Sequence, residues 1–170
     1  EFVSANPTGP MHVGHSRGAI FGDVLSNLLI FNGNKVTKEY YINDYGNQIK
    51  NFVKSVFLRI REIKYKEKFI DEKDLYPGEY IKEIAEKILN KNKLKFNSFD
   101  ESLNFLENES LIYSMNMIKA DLAKLGITHD SFVSEKSIVS SNTVTNAIDK
   151  LKKNNYIEEG YLEPPKGEEK

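Results

Sequence analysis

Cysteine is absent from these 170 residues, which excludes disulfides, thiol catalysis and cysteine-ligated zinc and fits a reducing compartment. No apolar run approaches the ~18 residues of a membrane-spanning helix, and no basic-then-apolar leader opens the chain. The expectation is therefore a cytoplasmic protein with no membrane partner. Charge of one sign is also missing. With 24 Lys and Arg against 25 Asp and Glu, the formal net charge is −1, and composition offers no polycation argument for nucleic-acid binding. What remains, 39% hydrophobic and 29% charged residues, suits a folded chain of one domain or one domain with an inserted lobe. Both ends read as cut: the first residues, Glu1-Phe2-Val3-Ser4, already resemble a strand, and Pro164-Pro165-Lys166-Gly167 resembles a connector.

Residues 1–5 predict a short extended segment, followed by the turn Asn6-Pro7-Thr8-Gly9-Pro10. A helix is expected over 14–31, with Ile20, Val24, Leu25, Leu28 and Leu29 as its apolar stripe and Gly33 at its end. Residues 35–43 are rich in β-branched and aromatic residues and predict a second strand, which completes a βαβ unit of a parallel sheet. Beyond residue 46 the periodicity is helical: 46–63, 78–91, 100–125 and 141–154, the last preceded by the capping candidates Ser140 and Ser141. Residues 156–163 predict a small hairpin around Gly160. No internal repeat is present.

The chemically informative stretch is His12-Val13-Gly14-His15, placed after a strand and a Pro-Gly turn and at the start of a helix. Gly14 permits close approach to the backbone, and a helix N-terminus offers free N–H groups and partial positive charge. Two imidazoles at that point make a site for a polyanion, with triphosphate the obvious candidate. An isolated H-x-x-H match is more often two surface histidines or half of a metal site. Zinc needs more ligands at close range, and the chain has one further histidine, His129. It is the order strand, turn, H-V-G-H, helix that favours nucleotide chemistry.

His12-Val13-Gly14-His15 resembles the HIGH signature of the class I aminoacyl-tRNA synthetases, and Glu1 to Asp23 as a whole is similar to the arginyl-tRNA synthetase family's version of that region. The similarity continues through Glu39-Tyr40-Tyr41-Ile42-Asn43-Asp44 and Gly46-Asn47-Gln48-Ile49. It returns in Ser134-Glu135 and in Glu159-Gly160-Tyr161-Leu162-Glu163-Pro164-Pro165-Lys166-Gly167, and thins between about 55 and 125. The fold implied is α/β: the first βαβ part of a Rossmann-type catalytic domain (1–45), a mainly helical insertion (46–163), and the start of a linker (164–170). The activity implied belongs to a longer enzyme, monomeric at full length, which activates L-arginine with ATP and Mg2+ and transfers it to tRNA(Arg). His12 and His15 would be the catalytic pair on the ATP phosphates, with Gly14 leaving room for the nucleotide. Glu1, Ser4 and Asn6 match positions around the bound arginine, where a carboxylate is the natural partner of guanidinium. No metal-ligand set is implied within the chain. A KMSKS-type loop and the second half of the sheet lie outside these residues, so 1–170 alone is expected to be inactive, with an exposed sheet edge that lowers its solubility.

Two other readings stay open on the sequence. One is a different HxGH nucleotidyl transferase such as a pantothenate synthetase, against which the Tyr40–Gln48 and Glu163–Gly167 segments argue. The other is a truncated, non-catalytic synthetase paralogue, against which the intact His12, Gly14 and His15 argue. Asp44, Asn47 and Gln48 are as well explained by capping and hydrogen bonding as by ligand contact. Arg17 reads equally as a phosphate or tRNA contact and as a solvated helix residue, the Lys150–Lys153 run first as a solvated helix face, His129 as a loop residue, and Tyr40-Tyr41 as core and interface.

Overall fold

Residues 1–70, 72–92 and 94–161 are described by the computed structural model of the chain. The chain folds as a first body, Glu1–Lys136, and a second that begins at Ser137. The first body holds α1 (Val13–Phe31), β1 (Glu39–Ile42), α2 (Asn47–Tyr65), α3 (Glu79–Lys91), α4 (Phe99–Lys124) and β2 (Ser131–Ser134). A short helix α5 (Glu135–Ser140) spans the division, and α6 (Thr143–Lys153) belongs to the second body.

Each helix of the lobe between the strands forms for a legible reason. α4 opens on Ser98, whose Oγ accepts from the Glu101 N–H at 3.3 Å, with Asp100 and Glu101 in its first turn and Lys124 in its last. α2 starts after Gly46, whose φ of +97° favours glycine, and ends at Lys66 in the left-handed region. Their apolar stripes meet. Phe52, Val53, Val56 and Ile60 of α2, Ile81, Ile84, Ala85 and Ile88 of α3, and Leu106 of α4 are buried in one cluster with Phe96. Each large aliphatic side chain removed from water in this way contributes roughly 1.5–3 kcal/mol.

A second cluster lies under the strands: Ala19, Tyr40, Met115, Ile118, Leu122 and Ile127, with Phe2, Ile42 and Phe132 packed against it. α4 joins the two cores, because Leu106 serves the first and Met115, Ile118 and Leu122 serve the second. At 26 residues it is a rod of about 39 Å.

The sheet is α/β in character but is built differently from the expectation. β1 pairs in parallel with β2, Tyr40 opposite Phe132 and Tyr41 opposite Val133, so the crossover between parallel strands is the whole α2–α4 lobe. Residues 1–5 are not a strand. Val3 (φ 62°) and Ser4 (φ 31°) leave the extended region, and the Ser4 N–H turns back to the Phe2 carbonyl at 3.0 Å. What ties the segment to β1 is two side chains rather than a ladder: the Tyr41 N–H donates to Ser4 Oγ at 3.0 Å, and the buried Tyr40 hydroxyl donates to the Ala5 carbonyl at 2.7 Å.

Three further expectations are corrected. The apolar stripe of α1 is exposed: Ile20, Val24, Leu25, Leu28 and Leu29 all face solvent, while the buried residues are the small Ala19, Gly22 and Ser26. The space a Gly22 side chain would fill is occupied by the Phe2 ring. The N-cap of α6 is Asn142 rather than Ser140 or Ser141, and the Ser141 hydroxyl pairs with Thr143 Oγ1 at 2.7 Å. The hairpin expected at 156–163 shows no strand in 156–161, since no described segment pairs with that backbone, and 162–163 lie outside the described residues.

Candidate active site

The turn ahead of α1 is anchored before it reaches the histidines. Pro7 is fully buried, Thr8 nearly so, and the Thr8 N–H closes on the Asn6 carbonyl at 2.8 Å. His12 then takes an extended backbone (φ −119°, ψ 172°) and acts as the N-cap of α1 with a side chain unusual for the purpose. Its Nδ1 accepts from the Gly14 N–H at 3.1 Å, and the His12 N–H in turn donates to Nδ1 of His15 at 3.4 Å. The rings stack at 3.7 Å with 20° between their planes.

This reciprocal cap has a chemical consequence. A neutral imidazole that accepts at Nδ1 must carry its proton on Nε2. Both rings therefore keep Nε2–H as their free donor, in a cleft that both of them line. Burial, and secondarily the neighbouring His12, hold His15 below the ordinary 6.5, which favours its neutral form at pH 7. The first turn of α1 contains no acidic residue to compete for an anion.

The cleft, of about 510 Å³, is lined by Ser4, Asn6, Thr8, Gly9, His12 and His15 on one side and by Tyr76 and Tyr80 on the other. Ser4 and Asn6 thus share a cavity with both histidines. Gly14 does not line it. A Cβ there would meet the His12 ring at 3.0 Å, so the missing side chain is what lets His12 fold back as a cap, and Gly14 itself borders a separate apolar hollow with Arg17, Ile20, Phe21 and Val24. Glu1 is exposed and accepts a hydrogen bond from Ser4 Oγ.

Asn6 is held by two other amides. Its Nδ2 donates to Gln48 Oε1 at 3.0 Å, and its Oδ1 accepts from Asn43 Nδ2 at 3.2 Å. Asp44, by contrast, is spent on structure: its carboxylate accepts from Ser134 Oγ at 2.7 Å and from the Lys136 N–H at 2.9 Å, tying the end of β1 to the start of α5. His129 is half-buried among Phe2, Tyr40 and Phe132, away from the cleft, and burial lowers its pKa.

Tyr76 and Tyr80 escaped the sequence reading. The Tyr80 ring lies between two glycines: a Cβ on Gly9 would meet its phenol at 3.1 Å and one on Gly78 its ring edge at 2.4 Å. The signal available was Gly78-Glu79-Tyr80 at a helix start, which no periodicity argument singles out. Among the described residues no group of three His, Asp or Glu is placed to hold a cation, and the cleft lining contains no carboxylate.

Residues 1–161 match the family described as tRNA synthetases class I (R), catalytic domain. The chain is 57% identical to an arginine–tRNA ligase of Pelagibacter ubique over 99% of its own length and 30% of the relative's, and 47% identical to one of Anaplasma phagocytophilum over 99% and 29%. A crystal structure from Campylobacter jejuni, described as an arginyl-tRNA synthetase, superposes with a TM-score of 0.83 at 38% identity, covering 94% of this chain and 35% of that one. The chain thus spans about 30% of the length of the curated relatives it matches. With a family match across nearly its whole length and a histidine-capped helix at the site, the chain belongs to the class I (R) tRNA synthetase catalytic-domain family.

Proposed function

We propose that the complete protein containing this chain is an arginine–tRNA ligase, which activates L-arginine with ATP and transfers it to tRNA(Arg). One observation carries the reading: the mutual cap that presents two Nε2–H donors at the positive end of α1, in a cleft shared with Ser4 and Asn6. As the arginine carboxylate attacks the α-phosphorus of ATP, charge grows on the phosphoryl oxygens. Preorganised donors aimed at those oxygens stabilise the transition state more than the ground state. His12 and His15 are the catalytic pair, and Gly14 supports ATP binding by giving His12 its room. Ser4 and Asn6 hold the amino acid, with Glu1 reaching toward it from outside the cleft. Mg2+ accompanies ATP as the nucleotide's own ion, and no step is assigned to it.

In this reading residues 1–45 form the first part of the nucleotide-binding fold, 46–163 the insertion and 164–170 the linker to the rest. The complete enzyme is a cytoplasmic monomer. Arginine-dependent ATP–pyrophosphate exchange by the complete ligase, in the presence of tRNA(Arg), is the test. Exchange that depends on pantoate instead, or no exchange with any amino acid, overturns it. Removing one donor with His15→Ala is expected to lower kcat by about 10²–10³-fold, and residues 1–170 alone are expected to show no exchange.

A further inference from the structure

We infer that Gln48, seconded by Asn43, is a positioning residue that holds the amide of Asn6 in place at the cleft and resists its turning, and thereby sets the affinity for the amino acid. The inference rests on the reading of Asn6 as an arginine-binding residue.

The geometry is a chain of three amides. Asn43 Nδ2 donates to Asn6 Oδ1 at 3.2 Å, and Asn6 Nδ2 donates to Gln48 Oε1 at 3.0 Å. Donor and acceptor alternate along it, so turning the Asn6 amide alone places Nδ2 against Nδ2 on one side and oxygen against oxygen on the other, and the sense changes only when all three amides reverse together. An asparagine without such partners turns freely, because its terminal torsion is broad and roughly two-fold. Held as it is, Asn6 keeps one unused N–H and one unused lone pair, at defined places, for a ligand in the cleft. Arginine carries a carboxylate that only accepts and an ammonium and guanidinium that only donate, so an amide turned over offers each the wrong partner.

Gln48 and Asn43 do not line the cleft, whereas Asn6 does. They act through Asn6. They also come from different places: Asn43 follows β1, and Gln48 stands in the first turn of α2, the helix that opens the inserted lobe. The lobe therefore touches Asn6 through Gln48, while Tyr76 and Tyr80 bring it to the cleft itself. Asn6 and Gln48 are exposed, so their hydrogen bond contributes little to folding, and a functional loss at Gln48 separates from a structural one.

The test uses the complete ligase containing this chain, with arginine-dependent ATP–pyrophosphate exchange and tRNA(Arg) present. Gln48→Met keeps the length and removes the acceptor, while Gln48→Glu keeps an acceptor for Asn6 Nδ2. Expected is a rise in the KM for arginine of about tenfold in Gln48→Met, since an interaction made equally in the ground and transition states moves KM rather than kcat. The KM for ATP and kcat stay within about twofold, the thermal midpoint is unchanged, and Gln48→Glu recovers most of the arginine affinity. An arginine KM unaltered in Gln48→Met overturns the inference, as does a parallel rise for both substrates that Gln48→Glu fails to relieve. A wild-type enzyme with no arginine-dependent exchange overturns the functional reading itself, and the inference with it.

Discussion

Helices α1 and α2 are each 19 residues long, and both are rich in apolar side chains, yet they live in opposite surroundings. The stripe of α2 disappears into a core with α3 and α4, where Phe52, Val53, Val56 and Ile60 are fully buried. On α1 it is the larger side chains that meet solvent, with Phe21 72% and Leu28 54% exposed, and only Ala19, Gly22 and Ser26 are covered. A stripe of this kind ordinarily faces a core. Periodicity thus records that a helix has something to bury, and the partner must be supplied by other residues. For α2 the partner lies within 170 residues; for α1 the described residues cover only the narrow face that packs on Phe2 and the strands.

The contrast can be tested from its strongest side downward. Phe52→Ala is expected to cost about 3–5 kcal/mol in urea denaturation, because the lobe core leaves a cavity where the ring was. If it cost no more than a surface substitution, the lobe would not be the packed body described. Gly22→Ala probes the one buried face of α1, where the new methyl meets Phe2 at 2.3 Å, and a loss of about 1–3 kcal/mol is expected. Leu28→Ala, on the exposed face, should change stability by about 0.5 kcal/mol or less and reduce self-association in light scattering. A loss as large as that of Phe52→Ala would mean that α1 is covered in solution.

The smallest effect concerns protonation at the head of α1. The imidazole of His15 should titrate below 6.5 in an NMR pH series. The sign follows from linkage: the unfolded chain binds the proton more readily, so the contribution to stability is intact above 6.5 and is lost as pH falls through the folded-state value. His12→Asn retains a capping side chain and removes the neighbouring imidazole, so the midpoint should rise part of the way and no further, burial being the larger cause.

The helices were legible because their signals are local. Gly33 after Phe31 and the i, i+4 apolar residues of α2 and α3 place boundaries to within a residue or two. The H-V-G-H turn was legible for the same reason. Of the strands, the one expected at 35–43 contains β1 (Glu39–Ile42), but its partner was not legible. Residues 1–5 have strand-like composition but bond β1 through Ser4 Oγ and the Tyr40 hydroxyl, and pairing is a property of two segments. β2 is only four residues long, Ser131-Phe132-Val133-Ser134, too short to announce itself without its partner. Within α4, Ile112 belongs to the apolar pattern yet is exposed, as is Leu125 at its end, because a rod passing between two cores offers different faces along its length. At the site, Ser4, Asn6, His12 and His15 were all named from sequence and share one cleft, although their roles were read through resemblance. Tyr76 and Tyr80 were missed because they arrive from a lobe whose docking is tertiary.

The parallel pairing of β1 with β2 has a consequence for how the chain folds. Glu39 and Ser131, opposite each other in the register, are 92 positions apart, so the pair closes a loop that contains the entire helical lobe. The entropy of closing such a loop grows only logarithmically, about 0.6 kcal/mol for each doubling of its length. The excursion can therefore lengthen or shorten at little thermodynamic expense while the strands stay in register. Because contacts within α2–α4 are nearer in sequence than the β1–β2 pair, they are expected to form before it, which a φ-value comparison of Phe52 with Tyr41 would check.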